Sequence, residues 1–100
     1  MPKPIRIHPG EILLEEFLKP LNISVNALAI AIGVPSSRLH EIVKERRGIS
    51  ADTATRLGLY FDIDPQFWFN LQNTFDLFTL KDEKAEELKR IPKFNIKNAM

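Results

Sequence analysis

Apolar residues recur at steps of three and four along most of this chain, the beat of amphipathic helices. Ile12, Leu13, Leu14, Phe17 and Leu18 share one side of a helix that Pro9 opens and Pro20 is expected to stop. Leu28 and Ile32 mark a second helix behind Ser24, a good N-cap, and Leu39, Ile42 and Val43 mark a third behind Pro35. Ser50 caps a fourth, on which Ala54, Leu57 and Phe61 recur at core spacing; Asp64 followed by Pro65 launches a fifth, PQFWFNLQNTFDLF. From Lys81 the composition changes to KDEKAEELKR, a helix former with charges of both signs that Pro92 should end, and KFNIKNAM reads as a mobile tail. Residues 1–9 hold Pro2, Pro4 and Pro9 and no periodicity, which predicts an extended arm. No stretch alternates with period two for long enough to require a strand. The predicted fold class is all-α, five helices with a C-terminal helical extension, divided into a domain over 1–81 and a charged helix and tail over 82–100.

The second and third helices are joined by the tight turn GVP. Helices that cross steeply over such a turn need small residues at their approach, and Ala29 and Gly33 stand there. Gly33 can also adopt the positive backbone dihedral that ends a helix, Val34 can tuck beneath the turn, and Pro35 can start the next helix without a hydrogen-bond donor. Together these features spell a helix-turn-helix over residues 24–47. The outward residues of its second helix, Ser36, Ser37, Arg38, His40, Glu41 and Lys44, are short hydrogen-bonders and charged groups suited to base edges and phosphates. The alternative is a helical hairpin with a purely structural role in an all-helical core.

Composition narrows the remaining classes. One hundred residues form about one domain, and an apolar share of 44% is enough for a packed core. The absence of cysteine removes disulfides, thiolate metal sites and cysteine nucleophiles together. No apolar run approaches a membrane span, and the first ten residues lack an apolar signal core, so a cytoplasmic protein is expected. A net charge of +1 supports a nucleic-acid partner only weakly, but the charge is unevenly placed. Arg38, Lys44, Arg46 and Arg47 outnumber Glu41 and Glu45 around the third helix, whereas Glu11, Glu15 and Glu16 make the first helix acidic and should face away from DNA.

Arg38, near the start of the reading helix, is the first candidate for base readout, since an arginine fork matches guanine in the major groove; its bland alternative is a surface ion pair with Glu41. Ser36 and Ser37 can donate to bases or phosphates, Ser36 being also a candidate cap for its own helix. His40 suits a base or phosphate, or is a solvated surface histidine. Lys44, Arg46 and Arg47 have the character of phosphate clamps, and Ser24 with Asn26 stands at the positively polarised start of the leading helix, where a backbone phosphate could be held. The aromatic residues Phe67, Trp68, Phe69, Phe75 and Phe78 are first of all core candidates. Because Phe67, Trp68 and Phe69 cannot all face one side of a helix, part of the cluster is expected to be covered by a second copy, a homodimer with its reading helices about 34 Å apart on an inverted repeat. Catalysis is poorly supported. His8 has no evident carboxylate partner, Asp62 and Asp64 are better explained as turn and N-cap than as metal ligands, and neither a nucleophile motif nor a phosphate-cradling glycine loop is present. No metal and no cofactor are expected.

The segments HPGEILLEEFLKPLNISVNALA, GVPSSRLHEIV, RRGISADTATRL and FDIDPQFWFNLQ together resemble the HigA-type antitoxins, within the phage-repressor-like, or XRE, helix-turn-helix proteins. The resemblance spans roughly residues 8–78, and RGISADTATRL followed by PQFWFNLQ is more specific than the helix-turn-helix alone. It implies a lambda-repressor-like fold and a homodimer that represses its own operon and neutralises a HigB-like ribonuclease related to the RelE messenger-cleaving enzymes. Members often carry glutamine where this chain has Val25, a basic residue at Ile30 and a glycine near Glu45. A stand-alone repressor without a toxin, and an adaptor that kept only the fold, are the competing readings.

Overall fold

The computed structural model describes residues 6–99, so most of the expected N-terminal arm, residues 1–5, lies outside it. All regular structure among the described residues is helical: α1 (Pro9–Ile12), a π-helical segment (Leu13–Leu18), α2 (Lys19–Leu21), α3 (Val25–Ile32), α4 (Ser36–Val43), α5 (Ala51–Phe61), α6 (Pro65–Glu83), α7 (Ala85–Leu88) and α8 (Ile96–Ala99).

The first helix begins where expected. Pro9 occupies its first turn and His8 caps it, the imidazole Nδ1 accepting from Gly10 N–H at 2.9 Å. It does not end at Pro20. An α-helical turn would drive the proline ring into the carbonyl four residues back; here the chain widens into π geometry just before it, with Lys19 N–H reaching the Leu14 carbonyl. The helix then continues to Leu21 and ends at Asn22 in the left-handed conformation.

Leu13, Leu18, Leu28, Ala29, Ile32, Val34, Leu39, Ile42, Ile49, Ala54, Leu57 and Trp68 make one buried core. The close backbone approach in this core is not at Gly33 but at Gly10, where a Cβ would collide with the Ile42 carbonyl, so α1 and α4 touch main chain to main chain. Ser50 and Asp64 cap α5 and α6 as read from the sequence, with Ser50 Oγ accepting from Thr53 N–H and Asp64 Oδ1 from Gln66 N–H. Asp62, at the C-cap of α5, is left-handed, and so the Asp62–Asp64 pair serves as turn and cap.

The C-terminal third departs from the expected pattern. The compositional change at Lys81 does not break α6, which runs on to Glu83, and the 81/82 boundary falls inside it. The next helix is a single turn, Ala85–Leu88, ending before Pro92, and the expected tail includes another turn at Ile96–Ala99.

Candidate nucleic-acid interface

The α3–α4 unit is built by local chemistry at each joint. Ser24 Oγ accepts from Ala27 N–H at 3.0 Å and starts α3. Gly33 takes φ 73°, and the Ala29 carbonyl receives both Gly33 N–H at 2.9 Å and Val34 N–H at 3.0 Å, closing the helix with Val34 buried beneath the turn. Gly33 therefore serves the turn by its dihedral; a Cβ there would meet only the Arg56 guanidinium. Pro35 is the N-cap of α4, at φ −61° and ψ 137°, rather than its first residue. Ser36 is consequently the first residue of α4, makes no capping bond, and stands exposed beside Ser37.

Leu39 and Ile42 turn fully inward with Val43 packed beside them, and Ser36, Ser37, Arg38, His40 and Glu41 form a polar surface. Asn26 on α3 and His40 on α4 meet there at 3.0 Å, Oδ1 to Nε2, so these two candidates form one hydrogen-bonded pair across the motif. Arg38 does not pair with Glu41. Its guanidinium faces Asp52 at 3.9 Å, and Glu41 binds Arg47 at 3.1 Å. Arg38 and Arg47 line one shallow cleft with Gly48, Ser50, Asp52 and Thr53. Lys44 and Arg46 are exposed and make no ion pair among the described residues. Solvent-exposed pairs such as these are weak, so phosphates can displace them. All nine expected contact residues, Ser24, Asn26, Ser36, Ser37, Arg38, His40, Lys44, Arg46 and Arg47, come from α3 with its N-cap, α4 and the loop between α4 and α5.

Two residues of the site lie outside the motif. Arg56 on α5 donates through Nη1 to the Ile32 carbonyl at 2.8 Å, satisfying a carbonyl freed at the end of α3, and its Nε grips the Asp52 carboxylate at 3.0 and 3.1 Å. Asp52 thus joins the arginine that closes α3 to the one expected to read bases. The Asp52–Arg56 spacing is visible in the sequence as an i,i+4 pair, but its reach to Ile32 depends on how α5 crosses α3.

The aromatic cluster divides. Trp68 is wholly buried within the chain, packed against Phe17 with ring centroids 5.1 Å apart, and so is core rather than a dimer surface. Phe69 packs on the core and Phe75 sets its ring against His8 at 4.8 Å. Phe67 and Phe78 stay exposed at 37% each, on one face of α6 with Thr74 between them.

No protein-family model matches the chain. Virulence-associated protein I of Dichelobacter nodosus is 55% identical over 78 residues, which are 78% of this chain and 72% of that protein. Antitoxin HigA-1 of Vibrio cholerae is 34% identical over 80% of this chain and 75% of its own length. The antitoxin HigA of Pseudomonas aeruginosa, solved with the higBA promoter, superposes with a TM-score of 0.87 at 46% identity, covering 91% of this chain and 100% of that one. The chain is a HigA-type antitoxin of the XRE helix-turn-helix family.

Three positions of this HigA-type chain at which the family resemblance implies other residues now have surroundings. Val25, where the resemblance implies glutamine, is half-buried at the start of α3. Ile30 is 83% exposed on the outer side of α3, an apolar side chain on a surface where a cation would attract phosphate. Glu45 takes φ 62°, a left-handed conformation that glycine adopts without strain, which gives a physical reason for glycine at this turn.

Proposed function

We propose that this chain binds operator DNA upstream of its own gene as a homodimer, represses its operon, and neutralises a HigB-like ribonuclease toxin. The observation that carries the DNA half is the polar face of α4. Ser36, Ser37 and Arg38 present donors at the N-terminal end of the helix, Lys44, Arg46 and Arg47 stand at its other end, and the unit is anchored to the core by Leu39 and Ile42. In this reading Arg38 reads a base and the cations after α4 clamp phosphates, with Ser24 and Asn26 holding the backbone at the start of α3. The likeness to an antitoxin solved with its promoter supports the same placement.

The dimer rests on Phe67 and Phe78, large apolar side chains that the single chain leaves exposed along α6. Two copies related by a two-fold axis require an inverted-repeat operator with half-sites about 34 Å apart. The toxin half rests on family membership and on the acidic side chains Glu11, Glu15 and Glu16 of the first helix, all exposed and able to face a basic ribonuclease. The chain then acts as a cytoplasmic binding protein rather than a catalyst. No described helix is long and apolar enough to cross a membrane, and no three described His, Asp or Glu residues cluster as a metal site.

A mobility-shift series on the DNA upstream of the gene, repeated at rising salt, tests the DNA half: a shift that weakens steeply with salt is expected, and its absence favours an adaptor over both DNA-binding readings. Co-purification with the small basic protein of the neighbouring reading frame tests the toxin half. Operator binding without such a partner would favour a stand-alone repressor.

A further inference from the structure

Arg46 and Arg47 sit in the loop between α4 and α5, where Glu41 holds the Arg47 guanidinium at 3.1 Å. Arg46 N–H returns to the Glu41 carbonyl at 2.8 Å, Glu45 turns left-handed, and the chain then leaves toward Gly48 and Ile49. The anchor beyond that point comes from α6. Gln72 Oε1 accepts from Ile49 N–H at 2.7 Å, and its Nε2 donates to Asp76 Oδ1 at 2.9 Å. Asp76 is an acceptor when ionised, so it requires the nitrogen end of the amide and leaves the oxygen for Ile49. Gly48 lies flat against the same amide: a Cβ there would stand 2.8 to 2.9 Å from Nε2, Cδ and Oε1, closer than a side chain can come. The Ile49 side chain, immediately after, is buried.

We propose that Gln72 is a positioning residue for DNA binding, holding the loop so that Arg46 and Arg47 meet the phosphates already ordered. Ordering a loop at the moment of binding subtracts from affinity, and an anchor formed in the free protein removes that loss. The inference deepens the DNA-binding reading and rests on it. It also gives Gly48 a specific reason to lack a side chain and ties the phosphate-clamping loop to α6, the helix whose exposed face is assigned to the dimer.

The test uses the full chain on its operator and on a random duplex. Gln72→Met keeps the length and packing of the side chain and removes both hydrogen bonds. It is expected to fold with a modestly lower melting temperature because the Ile49 N–H loses its partner, to exchange the Ile49 amide proton faster, and to lose affinity for both duplexes by a similar factor, roughly tenfold, with an unchanged salt slope because the same phosphates are neutralised once the loop is bound. Gly48→Ala should weaken binding in the wild-type background and have little further effect in Gln72→Ala, because the amide it would strike is gone. Unchanged affinity in folded Gln72→Met, or additive effects of Gly48→Ala and Gln72→Ala, would overturn the proposal. A wild-type chain that fails to shift its operator removes the DNA reading and this role with it; equal shifts by wild type and Gln72→Met remove this role alone.

Discussion

The helix-turn-helix unit and the chain from the distal part of α6 onward are both helical, yet they satisfy their apolar side chains differently. Within α3 and α4, Leu28, Ala29, Ile32, Leu39 and Ile42 are all buried by the same chain, and Arg56 reaches over from α5 to close the end of α3. From Phe69 to Lys97, by contrast, no side chain is fully buried. Leu77, Phe78, Leu80, Ile91, Phe94 and Ile96 are each at least 37% exposed. The first region has the rigidity that a DNA-reading surface needs, since a site fixed in advance does not lose affinity to its own ordering. The second carries apolar surface of the kind a protein partner covers.

The sharpest way to break this contrast is along α6, where the two regimes meet between Trp68 and Phe78. Trp68→Ala removes a wholly buried ring and should cost about 3 to 5 kcal/mol of stability, measured by denaturant unfolding. Trp68→Phe should cost much less, because its indole Nε1–H is buried without a partner and losing that donor offsets part of the lost packing. Phe78→Asp should leave the folded chain and its tryptophan emission nearly unchanged while shifting sedimentation from dimer to monomer. A dimer that survives Phe78→Asp would place the interface elsewhere.

Most of the helical frame was legible in the residues because it rests on local rules. Ser24, Ser50 and Asp64 cap where hydrogen-bonding side chains precede apolar periodicity, and Gly33 turns left-handed where a helix must stop. The misreadings concern effects that local rules do not contain. Pro20 reads as a terminator, but a π-helical turn absorbed it. Trp68 reads first as core, as it is, and only its place among the dimer candidates fails, because aromatic spacing does not say which side of α6 meets Phe17. Of the interface, the nine contact candidates were readable as residue types in one motif. Their pairings were not: Arg38 meets Asp52 instead of Glu41, and the loop after α4 is held from Gln72, far along the chain. Gln72 was nevertheless inside the most family-specific segment, PQFWFNLQ, whose Trp68 fills the core and whose last residue anchors the loop.

The helix-turn-helix side of the contrast is sharpened by Arg38→Ala, which should weaken operator binding by about 1 to 3 kcal/mol and flatten preference at one base position, leaving random DNA much less affected. Titration against operators substituted one position at a time reads both effects. Equal weakening on specific and random duplexes would make Arg38 a phosphate contact instead.

His8 ties the first helix to the distal region, capping α1 with Nδ1 and resting its ring on Phe75. Burial holds its pKa below the ordinary histidine value of 6.5, outweighing the Glu45 and Asp76 carboxylates, which pull the other way. The folded chain therefore takes up the imidazole proton less readily than the unfolded chain. The stability this carries is complete above about pH 6.5 and declines as pH falls toward the lower folded-state pKa. Protonation also removes the Nδ1 acceptor, so the cap is lost with the charge gained. Melting curves across that window should show a fall in wild type that is reduced in His8→Asn, whose amide oxygen can cap without titrating. An identical fall in both would assign the acid sensitivity to other groups.

The smallest expected effect lies at Glu45, where backbone strain and charge act in the same direction. Its left-handed φ of 62° disfavours any side chain, and it follows Lys44 and precedes Arg46 and Arg47 in the loop assigned to phosphates. Glu45→Gly relieves the first and removes the second, while glycine adds unfolded-state entropy that cancels much of the stability gain. Stability should thus change by about 1 kcal/mol or less. Affinity for operator and random DNA should rise together by a few-fold at low salt, with the difference fading as salt screens it. A stability gain without any change in affinity would mean that the Glu45 carboxylate points away from the phosphates, and that the turn was strained for a reason unrelated to DNA.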